Sequence, residues 1–236
     1  MKLYNIVFSP TGGTKKVSAL LTDALEGEAA NVALTDSKQN FRTVQLTQED
    51  IAVISVPSYG GRVPAVAVER LTMLRGQGAR AVLVCVYGNR AYEDTLVELE
   101  DAAKQAGFRV IAAVAAIAEH SIARQFAAGR PDTQDVKQLS DFARQIQRKL
   151  SAEDSTEPTI PGNRPYKKAG ARAWCPNPQR NVPNAAPARR NVPCRPLIRK
   201  IRKRWMRRRV SPACAVSPSA PTLHGKSIPL CSLPPV

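Results

Sequence analysis

Three short stretches carry residue types suited to holding a charged, flat ligand. Ser9-Pro10-Thr11-Gly12-Gly13-Thr14 joins an apolar run to an amphipathic one. Gly12 and Gly13 let main-chain N–H groups approach an anion closely. The hydroxyls of Ser9, Thr11 and Thr14 add donors, and the N-terminus of the following helix adds a favourable potential. The loop has neither the Gly-Lys-Ser/Thr of a Walker loop nor the G-x-G-x-x-G of a dinucleotide fold. Read as structure alone, it is a turn capped by Ser or Thr. The second stretch, VPSYGGRVP (56–64), sets Tyr59 between Ser58 and Gly60-Gly61. An aromatic ring beside glycines suits stacking on a planar ligand, with main-chain groups free to bond its edge. The third, VYGNRAYED (86–94), repeats the arrangement with Tyr87, Gly88 and Asn89. The alternative for both is a loop tyrosine covering the edge of a sheet. No residue reads as a nucleophile or general base, so no catalytic residue is assigned. His120 and His224 stand alone, and His120 reads as a packing or capping residue.

The elements that must position these loops follow from hydrophobic periodicity. Apolar, β-rich runs are expected as strands at 2–8, 51–57, 79–88 and 108–118, with a weaker strand in EAANVALT (28–35). Amphipathic helices are expected at 14–26, 64–76, 91–107 and 133–150. Alternation of helices with near-continuously apolar strands implies a parallel sheet covered on both faces. Five strands in this pattern imply a doubly wound α/β domain of order 2-1-3-4-5. Its ligands bind at the carboxyl ends of the strands, and each of the three stretches follows a strand. Cys85, inside AVLVCVYG, reads as a buried strand residue.

Composition divides the chain sharply. All 19 Asp and Glu lie between Asp23 and Glu157, whereas 17 of the 35 Lys and Arg and 15 of the 19 Pro lie in 158–236. The formal charge is therefore −1 before residue 158 and +17 after it. Boundaries follow: a ligand-binding domain at 1–155, a linker at 156–170, and a disordered basic Pro/Arg-rich tail at 171–236 whose composition does not offset the entropy of ordering. Leu197, Ile201 and Trp205 fall at helical spacing within RPLIRKIRKRWMRRR (195–209), where a short helix is expected near 196–208. No signal-peptide pattern or bilayer-length apolar run is present, and a cytoplasmic location is expected.

The three loops resemble those of flavodoxins. The resemblance implies that Ser9, Thr11, Gly12, Gly13 and Thr14 hold the 5′-phosphate of FMN. It also implies that Ser58, Tyr59, Gly60 and Gly61 lie against the isoalloxazine ring, and that Tyr87, Gly88 and Asn89 belong to a second loop facing it. FSPTGGTKKV, VPSYGGRVP, EHSIARQFAAGRPD and IPGNRPYKKAG together resemble a bacterial family in which a flavodoxin domain precedes a ferredoxin domain, over about residues 1–170. In that family the second module carries two C-x2-C-x2-C-x3-C-P runs for two [4Fe–4S] clusters. Here Cys175, Cys194, Cys214 and Cys231 are too far apart to ligate a cluster.

The missing runs reappear in another reading frame. A cysteine codon read one nucleotide early needs a visible codon ending in T followed by Ala or Val. Such pairs occur at Asn181–Val182, Asn184–Ala185, Pro187–Ala188 and Asn191–Val192. They recur at Arg209–Val210, Pro212–Ala213, Ala215–Val216 and Ser219–Ala220. Both sets are spaced 3, 3 and 4, and each is followed by a proline, Pro193 or Pro221. Arg-Asn and Arg-Lys pairs become Glu in that frame, which restores the absent acids. The tail reads as a ferredoxin module frameshifted near Ala169–Ala171.

The expected function is electron transfer by an FMN-binding, flavodoxin-like domain, as an electron carrier or oxidoreductase component. Its redox partners are unspecified, and neither a specific nucleic acid nor a membrane is expected. The alternatives are a flavodoxin-like module without flavin and a nucleic-acid-binding protein acting through its basic tail.

Overall fold

Strand β1 (Leu3–Val7) lies second in a five-stranded sheet, with β2 (Ala29–Ala33) on one side and β3 (Ile51–Pro57), β4 (Arg80–Tyr87) and β5 (Arg109–Ile117) on the other. The computed structural model describes residues 1–25 and 27–168. The expected basic tail, its helix near 196–208 and its four cysteines lie outside the described residues. Every neighbouring pair of strands is parallel, and the order is β2-β1-β3-β4-β5. This is the doubly wound topology that the alternation implies. Helices α1 (Gly13–Ala24), α2 (Ala65–Leu71) and α3 (Thr95–Gln105) connect β1 to β2, β3 to β4 and β4 to β5, and α4 (Thr133–Ser151) follows β5.

The apolar runs in β3 and β4 are continuous because both faces of the sheet are covered. Successive side chains alternate between two cores. Ile54, Val56, Leu83 and Cys85 join Leu71 and Leu99 in one. Val53, Val82 and Val84 join Val17, Leu21, Leu139 and Ile146 in the other. Burial lifts the Cys85 thiol well above its ordinary pKa, which makes it an inert packing group. One buried polar chain crosses the α1 side. Ser18 Oγ donates to Asn5 Oδ1 at 2.6 Å and lies 2.7 Å from Ser55 Oγ, and Asn5 Nδ2 donates to Asn31 Oδ1 at 3.0 Å. It ties β1, β2, β3 and α1 together just beneath the loop after β1.

Helix α2 is shorter than its periodicity predicts, ending at Leu71 rather than near Gly76. Thr72 Oγ1 turns back to the carbonyls of Val68 and Glu69. Residues 74–76 serve other contacts. Arg75 exchanges main-chain hydrogen bonds with the 44–46 strip, and Gly76 N donates to Ala106 O. A Cβ on Gly76 would meet the 107–108 main chain at 2.8 Å, so the chain can pass there only as glycine. Helix α3 begins at Thr95, four residues later than expected, because 91–94 form part of the loop at the sheet edge.

Candidate functional site

The order of the sheet reverses between β1 and β3, and doubly wound sheets take their ligands at the carboxyl ends of the strands beside such a reversal. The three stretches singled out by residue type follow β1, β3 and β4, three neighbouring strands, and so gather at one edge.

The loop after β1 closes on itself. Phe8 N donates to Ser55 O at 3.0 Å, which extends the pairing of the strands by one residue. Ser9 Oγ accepts from Lys15 N at 2.9 Å, and Gly12 O accepts from Lys16 N at 3.0 Å. Gly12 is the N-terminal cap of α1, with φ +90° and no side chain to cap with. No main-chain N–H from Thr11 to Thr14 has a hydrogen-bond partner among the described residues. No acidic side chain lies in the first turn of α1. A Cβ on Gly12 would meet nothing within 4 Å, so the donors open onto free space. A run of unpaired amides at a helix N-terminus is an anion cradle.

The loop after β3 is a hairpin turn. Tyr59 N donates to Arg62 O at 2.9 Å and Arg62 N to Tyr59 O at 3.3 Å. Gly60 and Gly61 between them have φ of +65° and +83°, the two positive values a type I′ turn requires. The turn presents Tyr59 with 46% of its surface exposed. Space around Gly60 is open, whereas a Cβ on Gly61 would lie 2.2 Å from Glu93 Oε2. Gly61 thus serves the contact between two loops, and Asp94 N donates to its carbonyl at 3.1 Å. The Ser58 hydroxyl lies 2.7 Å from that of Thr95, at the start of α3.

The loop after β4 differs from the expected repeat of this pattern. The Tyr87 ring is buried edge-on against Tyr92, with centroids 5.4 Å apart. Burial raises its hydroxyl above the ordinary pKa. A Cβ on Gly88 would lie 2.5 Å from the His120 ring, so a neighbouring loop accounts for this glycine. His120 Nδ1 accepts from Ile122 N and Ala123 N, which assigns its proton to Nε2 and makes it the organiser of the 119–130 loop. Asn89 is exposed, in the left-handed region at φ +62°.

Two features of this edge escaped the sequence reading. The first is an ion pair under the Tyr59 turn. Arg62 Nε and NH2 donate to the two oxygens of Glu98 at 2.7 Å each, and Val63 N donates to Glu98 Oε2 at 2.8 Å. An acid inside the apolar helix segment Leu96-Val97-Glu98-Leu99 was the available signal. The second is the chain after α4, which lacks helix and strand but is bonded into the domain. Lys149 Nζ donates to Thr156 O at 2.5 Å, and Ile160 packs on the core shared by α2 and α3. Asn163 N and Nδ2 donate to Asp94 Oδ1 at 2.9 and 3.0 Å, and Lys167 N to Asp94 Oδ2 at 2.6 Å. Arg164 pairs with Asp101 and Glu100, and the Tyr166 hydroxyl donates to Asp101. Lys167 Nζ reaches Glu93 at 2.5 Å, and Lys167 O accepts from Arg62 NH1 at 2.5 Å. The Arg62 guanidinium lies over the Tyr166 ring, 5.0 Å from its centroid.

The fold is flavodoxin-like. Strand order and crossover connections carry that assignment. No protein-family model matches the chain, and no curated protein matches it. Among solved structures, a Megasphaera elsdenii flavodoxin in its two-electron reduced form is 17% identical. It covers 61% of this chain and 98% of its own, with a TM-score of 0.42. A Streptococcus pneumoniae TIGR4 flavodoxin is 21% identical over 62% of this chain and 99% of its own, with a TM-score of 0.42. The apo form of the NADH:FMN oxidoreductase EmoB is 14% identical over 66% of this chain and 94% of its own, with a TM-score of 0.47. Among the described residues, no three His, Cys, Asp or Glu side chains cluster so as to hold a metal, and no helix is long and apolar enough to cross a membrane.

Proposed function

We propose that this chain binds FMN non-covalently at the edge formed by the loops after β1, β3 and β4 and works as an electron-transfer module. The observation that carries the reading is the row of unpaired amides from Thr11 to Thr14 at the N-terminus of α1, opening onto free space at Gly12. A phosphate monoester fits that donor set, and the hydroxyls of Thr11 and Thr14 add to it. The exposed Tyr59 on its two-glycine turn, one strand away, fits a planar ring. When bound, FMN would supply one- and two-electron redox chemistry. The chain's own part is to bind and orient. Amides at 11–14 hold the phosphate, Tyr59 covers a ring face, and the Gly60 main chain is available to the ring edge. Tyr87 acts from below through Tyr92, and Asn89 lies at the exposed end of its loop.

The reading extends to the C-terminal segment as a frameshifted ferredoxin module, without ligands for [4Fe–4S] clusters in this polypeptide, and to a cytoplasmic location. Eight Cys-compatible codon pairs at spacings 3, 3 and 4, twice over, support the frameshift. Resequencing tests it: loss of the T-G-pyrimidine triplets at two or three of the eight positions overturns it.

Titrating the purified chain with FMN tests the main reading. Stoichiometric quenching of flavin fluorescence is expected. An unquenched flavin, with none co-purifying, overturns it in favour of a flavodoxin-like module without flavin.

A further inference from the structure

We infer that residues 158–168 form a strap that holds the two ring-side loops in their binding geometry, with Lys167 as its closing residue; the inference rests on the FMN reading of that edge. Lys167 touches both loops at once. Its carbonyl accepts from Arg62, the last residue of the Tyr59 turn, while its N–H and ammonium bond Asp94 and Glu93 of the loop after β4. Asp94 is 2% exposed and receives three strap donors, while its own N–H donates to Gly61. A buried carboxylate left without those donors would be costly, so strap and loop are held as a unit.

The Tyr59 turn is also held by the Ser58–Thr95 hydroxyl pair, by Asp94 N on the Gly61 carbonyl and by Glu98. Two residues in a type I′ turn form a small structure, and its base is the Arg62–Glu98 pair, whose guanidinium is also stacked on Tyr166 of the strap. The strap is itself anchored on the far side, by Arg164 on Asp101 and Glu100 and by Gly162, where a Cβ would lie 2.4 Å from Val97. It is therefore seated on α3 and reaches across to the loops. Thermodynamic reciprocity then requires that a ligand held by those loops tighten the strap by the same factor by which the strap tightens the ligand.

The experiment uses the full chain and has two arms. Without flavin, hydrogen exchange is followed at the amides of Tyr59, Arg62, Val63 and Asp94, all of which are bonded within this cluster. Lys167→Pro removes the N–H that bonds Asp94, and Asn163→Ala removes one of its amide donors. Each should speed exchange at those four amides by about tenfold, with β3 and β4 amides still protected to show that the domain is folded. Lys167→Arg, which keeps both the N–H and the cation, should behave as the parent. With FMN, Lys167→Pro should weaken binding about tenfold, and in the parent saturating FMN should slow exchange at the Asn163 and Lys167 amides about tenfold. Unchanged loop exchange in Lys167→Pro, or strap amides indifferent to FMN that binds, overturns the inference. Because the first arm contains no flavin, it decides the strap even where the titration of the parent rejects the cofactor reading.

Discussion

The loop after β1 and the loops after β3 and β4 meet at one edge of the sheet but are built in opposite ways. The first is local. Its bonds run from Ser9 to Lys15 and from Gly12 to Lys16, and its donors are set by the helix it opens. The pair after β3 and β4 is assembled from far along the chain: Arg62 bonds Glu98, Asp94 bonds Asn163, and Lys167 bonds Arg62, Glu93 and Asp94. A local loop can be changed in its ligand chemistry without touching the fold. A loop held by distant partners transmits damage both ways, from ligand to fold and from fold to ligand.

The sharpest break of this contrast is Glu98→Ala. It leaves Arg62 unpaired with its guanidinium largely covered and should cost about 3 kcal/mol in urea unfolding, with weakened FMN binding alongside. Thr11→Asp should do the reverse. A carboxylate against the amide cradle should lower FMN affinity about a hundredfold while the melting temperature stays within roughly 2 °C of the parent. Equal stability losses for the two would erase the distinction.

Ending the chain at two points sharpens it further. A polypeptide stopping after Lys168 should melt close to the full chain. One stopping after Glu157 lacks the strap and should melt roughly 5 °C lower by circular dichroism. Glycines give a smaller comparison. Gly61→Ala forces both a strained φ and a clash with Glu93, whereas Gly12→Ala meets only the φ penalty; about 2 kcal/mol against about 1 kcal/mol is expected in urea.

Acid should separate the two regions with the smallest effect. The Lys167 and Asn163 main-chain donors, in that order, hold the Asp94 carboxyl below its ordinary value of 3.8. Arg62 is the cation facing it, while the Lys167 ammonium pairs with Glu93. The Arg164 guanidinium, and then the Tyr166 hydroxyl, do the same for Asp101. These groups are depressed in the folded state, so their contribution is present above the ordinary carboxylate range and lost as pH falls through the lowered values. Exchange at the Asn163 and Lys167 amides, corrected for its intrinsic pH dependence, should rise below that range. The loop after β1, with no carboxylate in the first turn of α1, should show no such step.

The loop after β1 was legible because its information is local: hydroxyls and glycines between an apolar run and an amphipathic one specify a turn, a cap and a set of open amides. The order 2-1-3-4-5 was legible for a related reason, since continuous apolar strands separated by helices admit few other topologies. The role of Tyr87 was not legible. In sequence it matches Tyr59, but Tyr87 is the last residue of β4 and packs against Tyr92, whereas Tyr59 lies two residues beyond the end of β3, so one tyrosine is buried and the other exposed. Gly61 and Gly88 also have a packing reason that the sequence did not show, since a Cβ at either would meet Glu93 or His120. Residues 158–168 are proline-containing and without periodicity, so in sequence they read as linker. Their order comes from single residues meeting Glu93, Asp94 and Asp101 some 60 to 75 positions away, pairings that no local pattern encodes. By itself, then, the sequence determined the sheet, its strand order and the glycine-capped turn with its open amides, because these follow from periodicity and local backbone freedom. Only the tertiary structure decided which aromatic ring is presented and what holds its loop in place, because these depend on which distant charges share one buried edge.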